Sequence, residues 1–176
     1  MRSGAVWSAA YHPTGREADD YLVTFRAERV IYRRRDDEIT TQLDIAVSTE
    51  DDVEVRRLSV TNHSDRPCEL EITSYAEISL SPVRDDLAHP AFNKLFVQTE
   101  FIPESRALLC GRRLRSPDEA GAWAIHVLSV EGRIQGAVEW KPIAPGSWGG
   151  VATPHVRWHS TAAPCPALPV PCWIPS

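Results

Sequence analysis

The 176 residues contain only four cysteines, none in a CxxC or Cys/His arrangement at zinc-ligand spacing. No stretch approaches the ~18 apolar residues of a membrane span. The opening Met-Arg-Ser-Gly-Ala-Val-Trp carries no apolar core of a secretory signal. These absences imply a cytoplasmic chain in which Cys68, Cys110, Cys165 and Cys172 are buried free thiols. Basic charge is also short, with 19 Lys+Arg against 24 Asp+Glu and a net charge of −5. That balance argues against nucleic acid as a partner, because phosphate neutralisation needs clustered cations. The one dense basic run, Arg33-Arg34-Arg35, runs straight into Asp36-Asp37-Glu38. Its field is cancelled locally, which places it in a solvated hairpin turn. Nucleophile-elbow, P-loop, dinucleotide-fingerprint and HExxH motifs are all missing. No catalytic residue, no metal site and no cofactor can be named.

A further absence divides the chain. From Lys141 to Ser176 there is no Asp or Glu, while that stretch holds eight of the fourteen prolines, three of the six tryptophans and two of the four cysteines. Residues 1–140 therefore form the domain to be read, and 141–176 a Pro-rich tail.

Within residues 1–140, apolar side chains recur at every second position over short segments bounded by turn residues. Tyr21, Val23 and Phe25 share one face of a strand. Ile39, Thr41, Leu43, Ile45 and Val47 share another. Val53–Asn62 and Cys68–Ile78 read as a hairpin joined by residues 63–67, so that Asn62-His63-Ser64 is a turn rather than a glycosylation site. In the return strand Cys68, Leu70, Ile72, Ser74, Ala76 and Ile78 point inward, and Glu69, Glu71, Thr73, Tyr75 and Glu77 outward. The parity slips between Val55 and Leu58, which predicts a β-bulge at Arg56-Arg57. Further strands are expected at 92–101, 107–113, 122–129 and 133–140, and Ala5-Val6-Trp7 reads as the end of a strand. About eight strands without a convincing helix predict an all-β, antiparallel two-sheet sandwich.

The acid pairs Asp19-Asp20, Asp36-Asp37, Asp51-Asp52 and Asp85-Asp86 sit beside turn residues and are expected to be solvated. The segment from Asp86 to Phe96 is richer chemically: His89, Phe92, Asn93 and Lys94 combine hydrogen-bonding groups with a ring that could stack on a sugar face. They are the candidate carbohydrate-binding residues. A long connecting loop pinned by Phe92 and Phe96 is the alternative.

Five strings carry a resemblance: Val6-Trp-Ser-Ala-Ala-Tyr-His-Pro-Thr-Gly15, Arg33-Arg-Arg-Asp-Asp37, Glu54-Val-Arg-Arg-Leu-Ser-Val-Thr-Asn62, Leu70-Glu-Ile-Thr-Ser-Tyr-Ala-Glu77 and the His89 segment. Over about residues 5–140 the chain resembles the N-terminal β-sandwich of the phosphorylase-type region of cyclic β-1,2-glucan synthases. These belong to the glycosyltransferase 36 group, now glycoside hydrolase family 94, with cellobiose and chitobiose phosphorylases as smaller relatives. The resemblance implies a galactose-mutarotase-like supersandwich, here truncated at both ends. It also implies a missing (α/α)6 barrel that carries the catalytic acid and the phosphate site. The catalytic Asp of the family matches no position in this sequence. Implied partners are a β-glucan or oligosaccharide, the barrel, and a second subunit in a homodimer. Inorganic phosphate is the implied co-substrate of the parent enzyme, which as a full glucan synthase would sit at the inner membrane.

The tail departs from the family. Back-translating Lys141 as AAA and residues 142–149 as CCG-ATC-GCG-CCC-GGT-TCC-TGG-GGG, then reading from the last base of the lysine codon, gives Thr-Asp-Arg-Ala-Arg-Phe-Leu-Gly, which looks like the family's continuation. The same offset at residues 169–175 gives Gly-Ala-Val-Leu-Asp-Pro. Residues 141–176 are therefore expected to be frame-shifted and disordered, with Trp148, Trp158 and Trp173 exposed; a Pro-rich linker is the alternative. The expected role is a non-catalytic, carbohydrate-binding part of a glycosyltransferase or glycoside phosphorylase. A free-standing carbohydrate-binding module and a non-binding scaffold for dimerisation are the alternatives.

Overall fold

The computed structural model describes residues 4–114, 116, 119–131, 134–141, 153–160 and 168–172. Among these residues eleven strands and two short helices follow one another as β1 (Asp20–Phe25), β2 (Val30–Asp36), β3 (Ile39–Val47), β4 (Glu54–Asn62), β5 (Cys68–Thr73), α1 (Val83–Ala88), α2 (Pro90–Lys94), β6 (Val97–Ile102), β7 (Ala107–Arg112), β8 (Trp123–Val127), β9 (Ile134–Lys141), β10 (Thr153–Ser160) and β11 (Leu168–Cys172). All pairings are antiparallel. They build a five-stranded sheet β1-β2-β3-β4-β11 and two three-stranded sheets, β5-β10-β9 and β6-β7-β8. The all-β antiparallel sandwich read from the alternation is thus the fold of the chain. Two strands lie in the acid-free stretch: β10 pairs with β5 and β11 with β4. Trp148, Cys165 and Trp173 lie outside the described residues.

Alternation works because successive strand side chains point to opposite faces. Ile39 and Val60 of the large sheet meet Leu70 of β5 across the interior, with Trp7, Leu58, Cys68, Ile72 and Val130 packed around them. The segment from Cys68 to Ile78 alternates as expected, with Leu70, Ala76 and Ile78 buried and the three glutamates at 69, 71 and 77 exposed. Its ladder ends at Thr73, yet the alternation continues and delivers Ala76 and Ile78 onto Leu108, Cys110 and Ala124 of the β6-β7-β8 sheet. Cys68, half-buried, and Cys110, buried, are in no disulfide.

Four expectations are corrected by the structure. The presumed hairpin 53–78 is a crossing between sheets, since β4 pairs with β3 and β11 whereas β5 pairs with β10. Asn62, buried at the corner, makes the crossing possible: its Nδ2 donates to the Arg66 carbonyl (2.8 Å) and its Oδ1 accepts from the N–H and hydroxyl of Ser64 (3.0 and 2.8 Å). No bulge forms at Arg56-Arg57. The β3–β4 register runs unbroken from Ile39 opposite Asn62 to Val47 opposite Glu54, so Val55 points outward and Glu54 and Arg56 share the face of Leu58 and Val60. An ion pair between Glu54 and Arg56 makes that face tolerable. The expected loop and strand at 83–96 hold the two helices instead, for reasons given below. Finally, Ala5-Val6-Trp7 joins no strand.

The basic run is also misplaced by the charge argument. Arg33, Arg34 and Arg35 lie within β2, ahead of a two-residue turn in which Asp37 takes a positive φ of 51°. Arg34 is only 1% exposed. Its Nε and Nη2 bind the two carboxylate oxygens of Asp36, each at 2.7 Å. Nη1 donates to the carbonyls of Ser8 (2.9 Å) and Ala10 (3.4 Å), and Nη2 to that of Arg16 (3.4 Å). The N-terminal segment is thereby wrapped onto the sheet. It is closed by Ser8 and Thr14, whose N–H groups each donate to the other's hydroxyl oxygen at 3.1 Å. A bond from the N–H of Gly15 to the carbonyl of Tyr11 (2.9 Å) completes the turn, at a φ of 60° that suits glycine.

Removing one partner of a buried pair strands the other charge. Arg34→Met is expected to lower stability by about 3–5 kcal/mol in urea unfolding, and Arg34→Met with Asp36→Leu by less than the single change. Equal losses for the single and double variants would show that the pair is not the source.

A second buried polar group is His126 on β8, whose ring nitrogen lies 3.3 Å from the Ser74 hydroxyl. Burial, reinforced by the nearby Arg56 cation, pushes its pKa down from 6.5 to about 4. The folded state therefore resists protonation that the unfolded chain accepts. Its contribution is complete above about pH 6.5 and is lost as the pH falls towards 4, by about 3 kcal/mol in all. His126→Gln is expected to flatten the stability–pH curve across that interval; an unchanged slope would assign the acid sensitivity elsewhere.

Candidate functional site

Two of the exposed aromatic side chains, Phe92 and Trp123, stand on different supports. The first is the ledge formed by α1 and α2. Helix α1 follows Pro82 and stops at His89, because the residue before a proline is driven out of the helical region; His89 sits at φ −144° and ψ 64°. Pro90 then starts α2 at its first position, where a missing N–H costs nothing. His89 is the joint: its N–H donates to the Asp85 carbonyl (3.0 Å) and its carbonyl accepts from the N–H of Asn93 (3.1 Å).

This geometry separates the four candidate residues. His89 and Phe92 are exposed, with the Phe92 ring edge-on to Phe96 at 5.1 Å. Asn93 is buried and spends its side-chain amide on the Asp85 carbonyl at 2.6 Å, tying the two helices together. Lys94 reaches across to Glu77 (2.8 Å), whose other oxygen accepts from the Tyr75 hydroxyl (3.0 Å). The hydrogen bond from Lys94, then that from Tyr75, holds the Glu77 carboxyl below its usual range. Desolvation, then the Glu77 carboxylate, raises the Tyr75 phenol. The result is a short charged chain on the surface beside the ledge.

The second position is Trp123, the first residue of β8 and 55% exposed. Its neighbours Ala124 and His126 point into the core, so Trp123, Ile125 and Val127 face outward. Directly opposite on β7 is Gly111. A Cβ built on Gly111 would lie 2.5 Å from Cζ3 and 2.8 Å from Cε3 of Trp123, so the six-membered ring rests on the glycine backbone. Gly121 approaches the other end, 3.2 Å from Nε1 by the same construction. Beyond Gly111 in the same cross-strand row lies Gln98, and Glu100 occupies the next row; both are exposed. The arrangement is a fixed indole with one face covered by backbone, flanked by an amide and a carboxylate.

Trp123 was available to the sequence reading. It precedes the inward Ala124 and His126 by odd steps, which puts it outward, and an outward Trp is unusual enough to mark. The missing signal was the pairing with Gly111, which only the β7–β8 register supplies. Among the described residues no group of three or more His, Cys, Asp or Glu could hold a metal ion, and no helix is long and apolar enough to cross a membrane.

Gly111→Ala is expected to cost about 1–3 kcal/mol, as overpacking against a rigid ring does, and Trp123→Ala in the same chain to recover part of the loss. Additive costs in chemical denaturation would show that ring and glycine do not touch.

Comparison with known proteins agrees with this architecture. The chain is similar to the cyclic beta-(1,2)-glucan synthase NdvB of Rhizobium meliloti (strain 1021), being 28% identical over 127 residues. The match spans 72% of this chain and 4% of the length of that protein. The glycosyl hydrolase 94 supersandwich domain matches residues 1–140, ending where the acids disappear from the sequence. By that match over most of its length, the chain belongs to the glycosyl hydrolase 94 supersandwich domain family.

Proposed function

We propose that this supersandwich is a carbohydrate-binding, non-catalytic part of a β-glucan-processing enzyme, and that the Trp123 platform is where it holds sugar. The observation that carries the reading is the indole lying flat on Gly111 with Gln98 and Glu100 on the same sheet face. An aromatic face matches the axial C–H groups of a β-linked pyranose, and an amide and a carboxylate at its margin match the equatorial hydroxyls. Such a site recognises ligand through a few polar groups around an apolar surface. The relative's name, a cyclic β-1,2-glucan synthase, makes β-1,2-linked glucose oligomers the first ligand to try. The α1–α2 ledge is the second reading, favoured by the exposed Phe92 near the Lys94–Glu77 pair.

Absence of a catalytic centre is part of the proposal: the catalytic acid and phosphate site would belong to another domain of a longer enzyme, with phosphate as its co-substrate. Calorimetric titration of the 176-residue chain with β-1,2-glucan oligomers separates the readings. Saturable binding abolished by Trp123→Ala and retained by Phe92→Ala supports the platform. The reverse pattern would move the site to the ledge. Absence of binding would favour a scaffold, and sustained release of glucose 1-phosphate on adding phosphate would overturn the non-catalytic reading.

A further inference from the structure

The outward face of the β6-β7-β8 sheet changes character along its strands. Gln98, Gly111 and Trp123 form one row across it, and Glu100, Leu109 and Ile125 the next row on one side. On the other side the ladder runs on past the end of β7, since the N–H of Arg113 donates to the Phe96 carbonyl at 2.9 Å. Arg113 therefore keeps the alternation and falls on the face of Gly111 rather than on that of Cys110 and Arg112, and it is exposed. Strand residues two positions apart are separated by about 7 Å, within reach of an arginine side chain.

The indole is aligned with this axis. Its six-membered ring covers Gly111, whereas Nε1 lies 3.2 Å from a Cβ built on Gly121. The Arg112 N–H donates to the Ala122 carbonyl (3.4 Å), which brings Gly121 level with Arg113. The indole N–H is thus at the Arg113 end. Among the described residues neither Nε1 of Trp123 nor the guanidinium of Arg113 meets a hydrogen-bond or ion-pair partner. Two donors stand at one end of the platform and a carboxylate, Glu100, at the other.

Donors beside an aromatic face fit a ring that carries an oxyanion, and a planar carboxylate can take both arms of a guanidinium fork. Charge decides between anions. One cation balances one carboxylate, whereas a phosphate monoester carries about −1.5 to −2 near neutral pH and would leave the excess facing Glu100. The chain as a whole repels anions, with a net charge of −5. A preference for one must then arise at short range, from Arg113.

We infer that the Trp123 platform selects glycans bearing a uronic acid. The pyranose stacks on the indole with its C6 carboxylate on Arg113 and the indole N–H, and its hydroxyl edge toward Gln98 and Glu100. The reversed orientation sets carboxylate against Glu100, so the ligand lies one way round. The inference rests on the platform being a sugar site and adds to it the choice of sugar.

Calorimetric titration of the 176-residue chain with β-1,2-linked glucose oligomers, and with the same oligomers having one unit oxidised to glucuronate, tests it. The oxidised oligomer is expected to bind more tightly by about fivefold, the scale of a well-formed exposed ion pair, with the advantage shrinking in salt. Arg113→Gln is expected to bring the two Kd values together, and Glu100→Gln to widen the gap. An oligomer phosphorylated at the same position is expected to gain less than the oxidised one. Equal or weaker binding of the oxidised oligomer, with both sugars lost in Trp123→Ala, would overturn the inference and leave the platform standing as a sugar site. Binding of neither sugar, or binding indifferent to Trp123→Ala, would overturn both.

Discussion

The guanidinium of Arg34 is buried, and a buried cation is tolerated only where its donors all meet acceptors. Here the carboxylate of Asp36 takes one edge of the fork, and three carbonyls of the N-terminal segment take the rest. The consequence runs in both directions. The cation cannot sit under residues 8–16 without their carbonyls, and those residues have no strand pairing to hold them without the cation. Trp7 immediately precedes the pinned segment and packs on the cluster of Ile39, Val60 and Leu70 that joins the large sheet to β5. Contact between the sheets thus leans on an ion pair between two residues two positions apart in one strand.

That arrangement explains which parts of the fold were legible. Period-two alternation identified the segment from Cys68 to Ile78 with its buried face, and the strands β1 and β3, although Tyr21 and Phe25 of the face read for β1 and Val47 of β3 are exposed. It failed at β2, where the inward residues beyond Tyr32 are Arg34 and Asp36. Pattern reasoning treats such residues as outward, and the local cancellation of charge that suggested a solvated turn is in fact what lets them go inside. At β4 the error has the same origin. Glu54 and Arg56 face inward as a pair, so the apparent parity slip was an artefact of counting only apolar residues. Pairing partners were less legible than strands. The short connection from Asn62 to Cys68 looked like a hairpin because length cannot distinguish a turn within a sheet from a corner between sheets; the buried Asn62 amide decides the matter.

The candidate site shows a parallel split. His89 and Phe92 were found by residue type, and the structure does bring them to the surface. Asn93 was chosen on the same ground, but its side chain is buried and its amide is bonded to the Asp85 carbonyl between the two helices. The helices themselves went unread since each is too short for a 3.6-residue period to register; Pro82 and Pro90 were the readable marks. Trp123 was missed for the opposite reason, its significance lying in a residue twelve positions earlier that only strand register places beneath it.

The two surfaces differ in what binding would cost. A ring on α2 rides on five residues hinged at His89, and ordering it around a ligand spends conformational entropy that must come out of the affinity. The Trp123 ring is already fixed, since Gly111 supports it from below and the β7–β8 ladder supports Gly111. A preformed platform on a sheet loses least on binding.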